Sequence, residues 1–66
     1  MEITFNGKLT EIQAGISLQE FLDRMQLDCM QVVVEHNHII IPRQRLAETV
    51  IVPGDTLEVI HFVGGG

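Results

Sequence analysis

The chain has 66 residues, a formal net charge of −5 and a single cysteine. This length allows one domain at most, and a lone cysteine excludes an internal disulfide and favours a reducing, cytoplasmic setting. The acidic balance, with only four scattered basic residues, argues against a nucleic-acid partner. No apolar run approaches the roughly 20 residues that span a membrane, so we expect no membrane partner either.

The N-terminal residues predict a β-hairpin. Met1 to Asn6 alternates apolar and polar side chains, which is the period of a half-buried strand. Asn6-Gly7 is the strongest short hairpin signal, because a type I′ turn needs positive φ at both central positions. Lys8 to Gln13 is then predicted as the returning strand.

A helix is predicted from Ile16 to Met25. Ser17 is a natural N-cap, and Glu20 three residues later completes a capping box. Ile16 and Phe21 are spaced as a hydrophobic staple across this helix start. The apolar stripe that we expect to close the core consists of Leu18, Phe21, Leu22 and Met25.

The next segment predicts two strands and a helical turn. Gln31 to Glu35 is a continuous β-branched run, which favours a strand buried on both faces. His36-Asn37 is predicted as a turn, and His38 to Ile41 as a short strand that Pro42 ends. Arg43 to Glu48 follows as one turn of helix.

The last strand is predicted from Thr56 to Val63, after a turn at Pro53-Gly54-Asp55. Strand alternation places Leu57, Val59, His61 and Val63 on one face, and Glu58, Ile60 and Phe62 on the other. We expect the first face, with Leu57 and Val59, to lie in the core. Because one helix covers only one face, Ile60 and Phe62 of the second face are the candidate partner-binding surface. Val63, at the end of the strand, is predicted to belong to the same binding surface.

Strands before and after a single helix indicate an α+β fold. An N-terminal hairpin, one packed helix and a final strand beside the first give a ubiquitin-like β-grasp arrangement, with a mixed sheet of four to five strands. We expect the domain to span residues 1–63, and residues 64–66 to be a flexible tail.

The chain stops on Gly64, Gly65 and Gly66. Such a tail offers only backbone and a terminal carboxylate, and it fits a slot too narrow for side chains. Two interpretations follow from composition: a frayed end or linker, or a reactive carboxylate at Gly66.

Several motifs follow one another in a characteristic order. Asn37 is followed by Ile40-Ile41-Pro42-Arg43, then by Gly54-Asp55, then by an apolar strand that runs into Gly64-Gly65-Gly66. This order resembles the ThiS family of sulfur carriers in thiamin biosynthesis. The resemblance covers essentially the whole chain. Many tails of this family are Gly-Gly, and Gly64 is interpreted as a variant of that ending.

The resemblance implies a cytosolic β-grasp protein whose C-terminal glycine, Gly66 here, is adenylated by an E1-like partner and converted to a thiocarboxylate. A sulfur-relay protein and thiazole synthase are the further implied partners. ATP and Mg²⁺ would be used by the adenylating enzyme, with no cofactor bound to this chain. The sequence contains no Gly-rich phosphate loop and no acidic metal cluster, so we expect a co-substrate with no catalytic residue of its own.

Other candidate residues have simpler explanations. Cys29 has no nearby basic residue to activate it and is expected to be a packed or idle thiol. His36 and His38, expected on one strand face, are too few ligands for a metal site. Three alternative functions stay open: the small subunit of molybdopterin synthase, a ubiquitin-like protein modifier, and a non-reactive binding module.

Overall fold

Five strands, one α-helix and one 3₁₀-helix form residues 1–62, the part of the chain that the computed structural model describes. The elements are β1 (Glu2–Phe5), β2 (Lys8–Glu11), α1 (Leu18–Arg24), β3 (Val32–His36), β4 (Ile39–Ile40), the 3₁₀-helix (Arg43–Glu48) and β5 (Thr56–His61). No helix within residues 1–62 is long and apolar enough to cross a membrane. Val63 and the predicted tail, residues 64–66, lie outside the described residues.

The strands form one mixed sheet in the order β2-β1-β5-β3-β4. β1 and β5 are parallel, with Thr4 opposite Thr56 and Phe5 opposite Leu57. The other strand pairs are antiparallel. The predicted α+β architecture is confirmed, with the last strand at the centre of the sheet and the first strand beside it.

The first hairpin has the predicted turn. Asn6 (φ 48°) and Gly7 (φ 82°) both have positive φ, as a type I′ turn requires, and glycine takes this conformation without steric cost. β2 ends at Glu11, earlier than the predicted Gln13, because Glu11 already faces Glu2 at the start of β1.

The N-terminus of α1 has the capping box that the sequence predicted. The Ser17 hydroxyl accepts a hydrogen bond from the Glu20 N–H (3.1 Å), and the Ser17 N–H donates to Glu20 Oε1 (3.1 Å). Two otherwise unpaired backbone donors are satisfied in this way. Ile16 and Phe21, the expected staple, are both buried in the core.

The C-terminus of α1 differs from the prediction. The Leu27 N–H donates to the Leu22 carbonyl (2.9 Å), and the Gln26 N–H donates to the Asp23 carbonyl (3.0 Å). This is a Schellman arrangement, with Gln26 (φ 60°) in the left-handed position. It ends the helix before Met25, which is 44% exposed, so the inclusion of Met25 in the core stripe was wrong. Leu27 packs against the core instead.

The second hairpin is displaced by one residue from its predicted position. Asn37 (φ 52°) and His38 (φ 71°) form the two-residue turn, with His36 paired to Ile39. His36 therefore belongs to β3, whereas His38 lies in the turn. The expected shared strand face of these two histidines was wrong, because two positive φ angles interrupt the alternation between them.

The core lies between one face of the sheet and the two helices. Phe5 and Phe21 meet edge to face, with ring centroids 5.0 Å apart, a favoured aromatic geometry. The buried apolar residues are Ile3, Ile16, Leu18, Phe21, Leu22, Val32, Val34, Leu46, Ile51, Leu57 and Val59. β3 is buried on this face only, since Val33 is half-buried, so the expectation of a strand buried on both faces was wrong.

The two faces of β5 give a direct stability test. Val59 is 8% exposed and Phe62 is 56% exposed. Val59→Ser should lower the free energy of unfolding by about 2–4 kcal/mol, because it removes buried methyl groups and buries a hydroxyl. Phe62→Ser should lower it by less than about 1 kcal/mol. Urea denaturation of both variants measures the difference, and equal losses would contradict this assignment of faces.

Candidate functional site

The side of the sheet turned away from α1, here called the open face, carries exposed apolar side chains. Ile60 is 53% exposed and Phe62 is 56% exposed, as the sequence predicted. Strand pairing places Val33 opposite Ile60 on this face. Leu9 lies opposite Thr4 on the same side of the sheet and is also exposed. The open face is therefore a surface that combines apolar side chains from several strands.

The last described residue remains attached to the sheet. The Phe62 N–H donates to the Gln31 carbonyl (3.0 Å), so pairing with the segment before β3 continues past the end of β5. In sequence, Val63 and the three glycines follow directly. Val63, Gly64, Gly65 and Gly66 lie outside the described residues, and their predicted roles stay predictions.

Asn6 holds the second half of β5 where β1 no longer pairs with it. The Asn6 side chain accepts from the Val59 N–H (2.8 Å) and donates to the Val59 carbonyl (3.3 Å). Its backbone N–H donates to the Leu57 carbonyl (2.9 Å). One amide side chain thus takes the place of a strand neighbour. The sequence indicated Asn6 only as a turn residue, and no local signal connects it to Val59.

A buried carboxylate fixes the other end of β5. Asp55 is 6% exposed, and its oxygens bond His36 Nε2 (2.7 Å), Asn37 Nδ2 (3.1 Å) and the Val52 N–H (2.9 Å). The Asn37 side-chain oxygen Oδ1 in turn accepts from the Thr56 N–H (2.8 Å). These bonds tie the β3–β4 turn to the start of β5. Sequence reasoning assigned Asp55 only to a turn and missed this cluster.

Burial and hydrogen bonding have opposite effects on the pKa of the Asp55 carboxyl group. Burial raises its pKa, because the ionised form loses hydration. The hydrogen bonds from His36, Val52 and Asn37 lower it and prevail, so the pKa of Asp55 lies below its ordinary value. The folded state therefore favours the ionised carboxylate.

The remaining titratable and thiol side chains form no reaction centre among residues 1–62. No group of three His, Cys, Asp or Glu side chains within these residues is arranged to hold a metal ion. Cys29 is half-buried and packs against the core. His38 lies exposed in the second turn and His61 lies exposed near the end of β5.

Comparison with known proteins identifies the family. The family model described as the ThiS family matches residues 3–66. This chain belongs to the ThiS family. The sulfur carrier protein ThiS of Bacillus subtilis is 40% identical over 50 residues, which cover 76% of each chain. The family that the motifs indicated is thereby confirmed.

A solved ThiS structure shows the same fold. The crystal structure of the thiamine biosynthesis protein ThiS from Geobacter metallireducens matches with a TM-score of 0.87 at 29% identity, over 100% of both chains. The predicted ubiquitin-like β-grasp fold is confirmed by this likeness.

Longer proteins also contain a ThiS-like region. The thiazole synthase of Paramagnetospirillum magneticum is 32% identical over all 66 residues of this chain, which correspond to 20% of that protein. The thiazole synthase of Magnetococcus marinus is 33% identical, again over 20% of its length. The chain thus spans about a fifth of the length of these two relatives.

The Asp55 cluster predicts a pH-dependent stability. Because folding lowers the pKa of Asp55, its contribution is fully present above the unfolded-state pKa of about 4 and is lost as the pH falls through the lower folded-state pKa. Asp55→Asn should lower the free energy of unfolding by about 2–3 kcal/mol at pH 7. Its difference from the wild type should shrink below about pH 4.

Urea denaturation between pH 7 and pH 3 measures this difference. Asp28→Asn is the matched control, because among residues 1–62 the exposed Asp28 carboxylate bonds only the Met30 N–H. A difference between wild type and Asp55→Asn that stays constant with pH would contradict the role of the ionised carboxylate.

Proposed function

We propose that this chain carries the sulfur for the thiazole ring of thiamin as a thiocarboxylate on Gly66. The observation that supports this most concerns β5, the central strand of this ThiS-family domain, and the residues that follow it in sequence. Its exposed residues Ile60 and Phe62 lie on the open face, and the sequence continues from them directly into Gly64-Gly65-Gly66. A partner that binds this face contacts the chain at a residue only two positions before Gly64 in sequence.

The chemistry requires activation of a poor electrophile. A Gly66 carboxylate oxygen attacks the α-phosphorus of ATP, and pyrophosphate leaves to give an acyl-adenylate. The terminal sulfur of a persulfide on the sulfur-relay protein then attacks the carbonyl carbon, and AMP leaves to give an acyl disulfide. A second thiol attacks the relay-protein sulfur of this disulfide, forms a new disulfide with it and releases the thiocarboxylate. Glycine suits this task because it can enter a narrow active site without a side chain.

All catalytic steps take place on partner proteins. An E1-like adenylating enzyme supplies the ATP site and the Mg²⁺, and a sulfur-relay protein supplies the sulfur. Thiazole synthase receives it. Two relatives that are named thiazole synthases contain a region similar to this whole chain, which supports the synthase as a partner. The chain itself acts as a co-substrate in the cytoplasm.

Conversion of Gly66 can be observed by mass. The 66-residue chain, incubated with its adenylating enzyme, ATP, Mg²⁺ and a sulfur donor, should gain the mass difference between sulfur and oxygen. Deletion of Gly65 and Gly66 should abolish this gain and leave the thermal midpoint nearly unchanged, because the deleted residues have no side chains to bury.

Intact-mass spectrometry and thermal denaturation of the same samples provide both readings. A sulfur gain in the deletion variant would place the modification elsewhere. Covalent attachment of the chain to lysines of other proteins would instead favour a protein modifier.

Phe62 should contribute to binding of the adenylating enzyme. Phe62→Ser removes an exposed ring next to the glycine segment and should weaken binding by about 1–3 kcal/mol if the ring enters a partner pocket. That loss appears as a higher KM in the adenylation assay. Met25→Ser is the control, since Met25 is a comparably exposed apolar residue on the helix side. Equal effects of the two substitutions would contradict a specific contact at Phe62.

A further inference from the structure

The charged side chains of the open face all have the same sign. Strand pairing assigns four glutamates to this face within residues 1–62, and no lysine, arginine or histidine of a strand lies on it. The four are Glu2, Glu11, Glu35 and Glu58. The face that carries the exposed apolar residues is thus also uniformly acidic.

Glu35 and Glu58 form an unfavourable pair within this face. They lie directly opposite each other on β3 and β5, where side chains interact and like charges are destabilising. Neither carboxylate forms an ion pair with a basic group of residues 1–62. Glu11, by contrast, lies 2.7 Å from the Met1 amino group. The repulsion between Glu35 and Glu58 is therefore not relieved within the described domain.

Apolar residues flank the glutamate pair. Ile40 lies opposite Glu35 on the edge strand β4 and is 64% exposed. Ile60 follows Glu58 on the same side of β5. A binding surface that matches this pattern must combine apolar side chains with a basic group placed between them.

We propose that the open face binds a surface of the adenylating enzyme on which apolar side chains meet Ile40 and Ile60, while an arginine or lysine lies between Glu35 and Glu58. This inference rests on the proposed function, which supplies the partner. A cation between the two carboxylates converts their repulsion into attraction in the complex, and a guanidinium group can bond both. The charges also accelerate encounter with a basic surface.

Other occupants of the face fit less well. Nucleic acid is repelled by a face on which the charged side chains of the strands in residues 1–62 are all carboxylates. A second copy of the chain, related by a two-fold axis, would bring its own Glu35 and Glu58 to the same contact, because a symmetric interface uses one patch twice. The charge pattern therefore favours a different protein with basic side chains.

The double variant Glu35→Gln, Glu58→Gln tests the inference. It keeps the side-chain shape and removes both charges. Its kcat/KM for adenylation, followed by pyrophosphate release, should fall about tenfold at low salt, through KM. Its dependence on salt should be weaker than that of the wild type. Its Tm should rise by roughly 1–4 °C, because the cross-strand repulsion is gone.

The control variant is Asp23→Asn, Glu48→Gln. It makes the same change in net charge at exposed positions of α1 and the 3₁₀-helix, away from the open face. Its kcat/KM should stay within about twofold of the wild type, since charges distant from the contact act weakly through salt-screened solvent.

The outcomes separate the inference from the proposed function. Failure of the wild type itself to gain sulfur would contradict the proposed function. A wild type that reacts normally, with an equal kcat/KM and salt dependence in the Glu35→Gln, Glu58→Gln variant, would overturn the inference alone. An equal loss of kcat/KM in the control variant would also overturn the inference. So would a loss that affects only the transfer of sulfur from the thiocarboxylate to thiazole synthase.

Discussion

Within residues 1–62, one seven-residue α-helix and a short 3₁₀-helix cover one face of a five-stranded sheet and leave the other face exposed. This one-sided packing determines which side chains are available for binding. The covered face supplies the core, with Leu57 and Val59 of β5 facing Leu18 and Leu22 of α1 in one buried cluster. The opposite face of the same strand carries Ile60. A domain of this size buries only a modest part of its surface. An exposed apolar face therefore follows from its size, and this face is available for binding another protein.

The central strand is held at both ends by side chains from distant parts of the sequence. Asp55 ties the start of β5 to the second hairpin through His36 and Asn37. Asn6 bonds the backbone of Val59 near the other end. A strand fixed in this way presents its end in a defined direction, which reduces the loss of freedom when a partner positions the reacting group.

Short-range signals in the sequence predicted the elements that depend on them. Asn6-Gly7 indicated the first turn, Ser17 with Glu20 indicated the helix start, and alternation assigned the faces of β5. The helix end was missed because Gln26 has the left-handed conformation that glycine usually takes. The second turn was displaced for a similar reason, since His38 has a positive φ, which is uncommon in residues other than glycine.

Contacts between residues that are distant along the chain could not be predicted from the sequence. The bond between His36 and Asp55 joins residues 19 positions apart, and no periodicity links them. The opposition of Glu35 and Glu58 depends on the register between β3 and β5, which a slip of one residue would change. The family resemblance supplied the role of the glycine ending, whereas the charge pattern of the open face required the strand pairing.

The central claim is that this chain carries the sulfur for the thiazole ring of thiamin. Deletion of its gene in the source organism tests this claim most directly. Growth of the deletion strain is measured in medium without thiamin, with and without the thiazole precursor. The account predicts no growth without thiamin and restored growth with the thiazole precursor or with the intact chain, but not with a chain that lacks Gly65 and Gly66. Growth without thiamin, or rescue by the shortened chain, would contradict it.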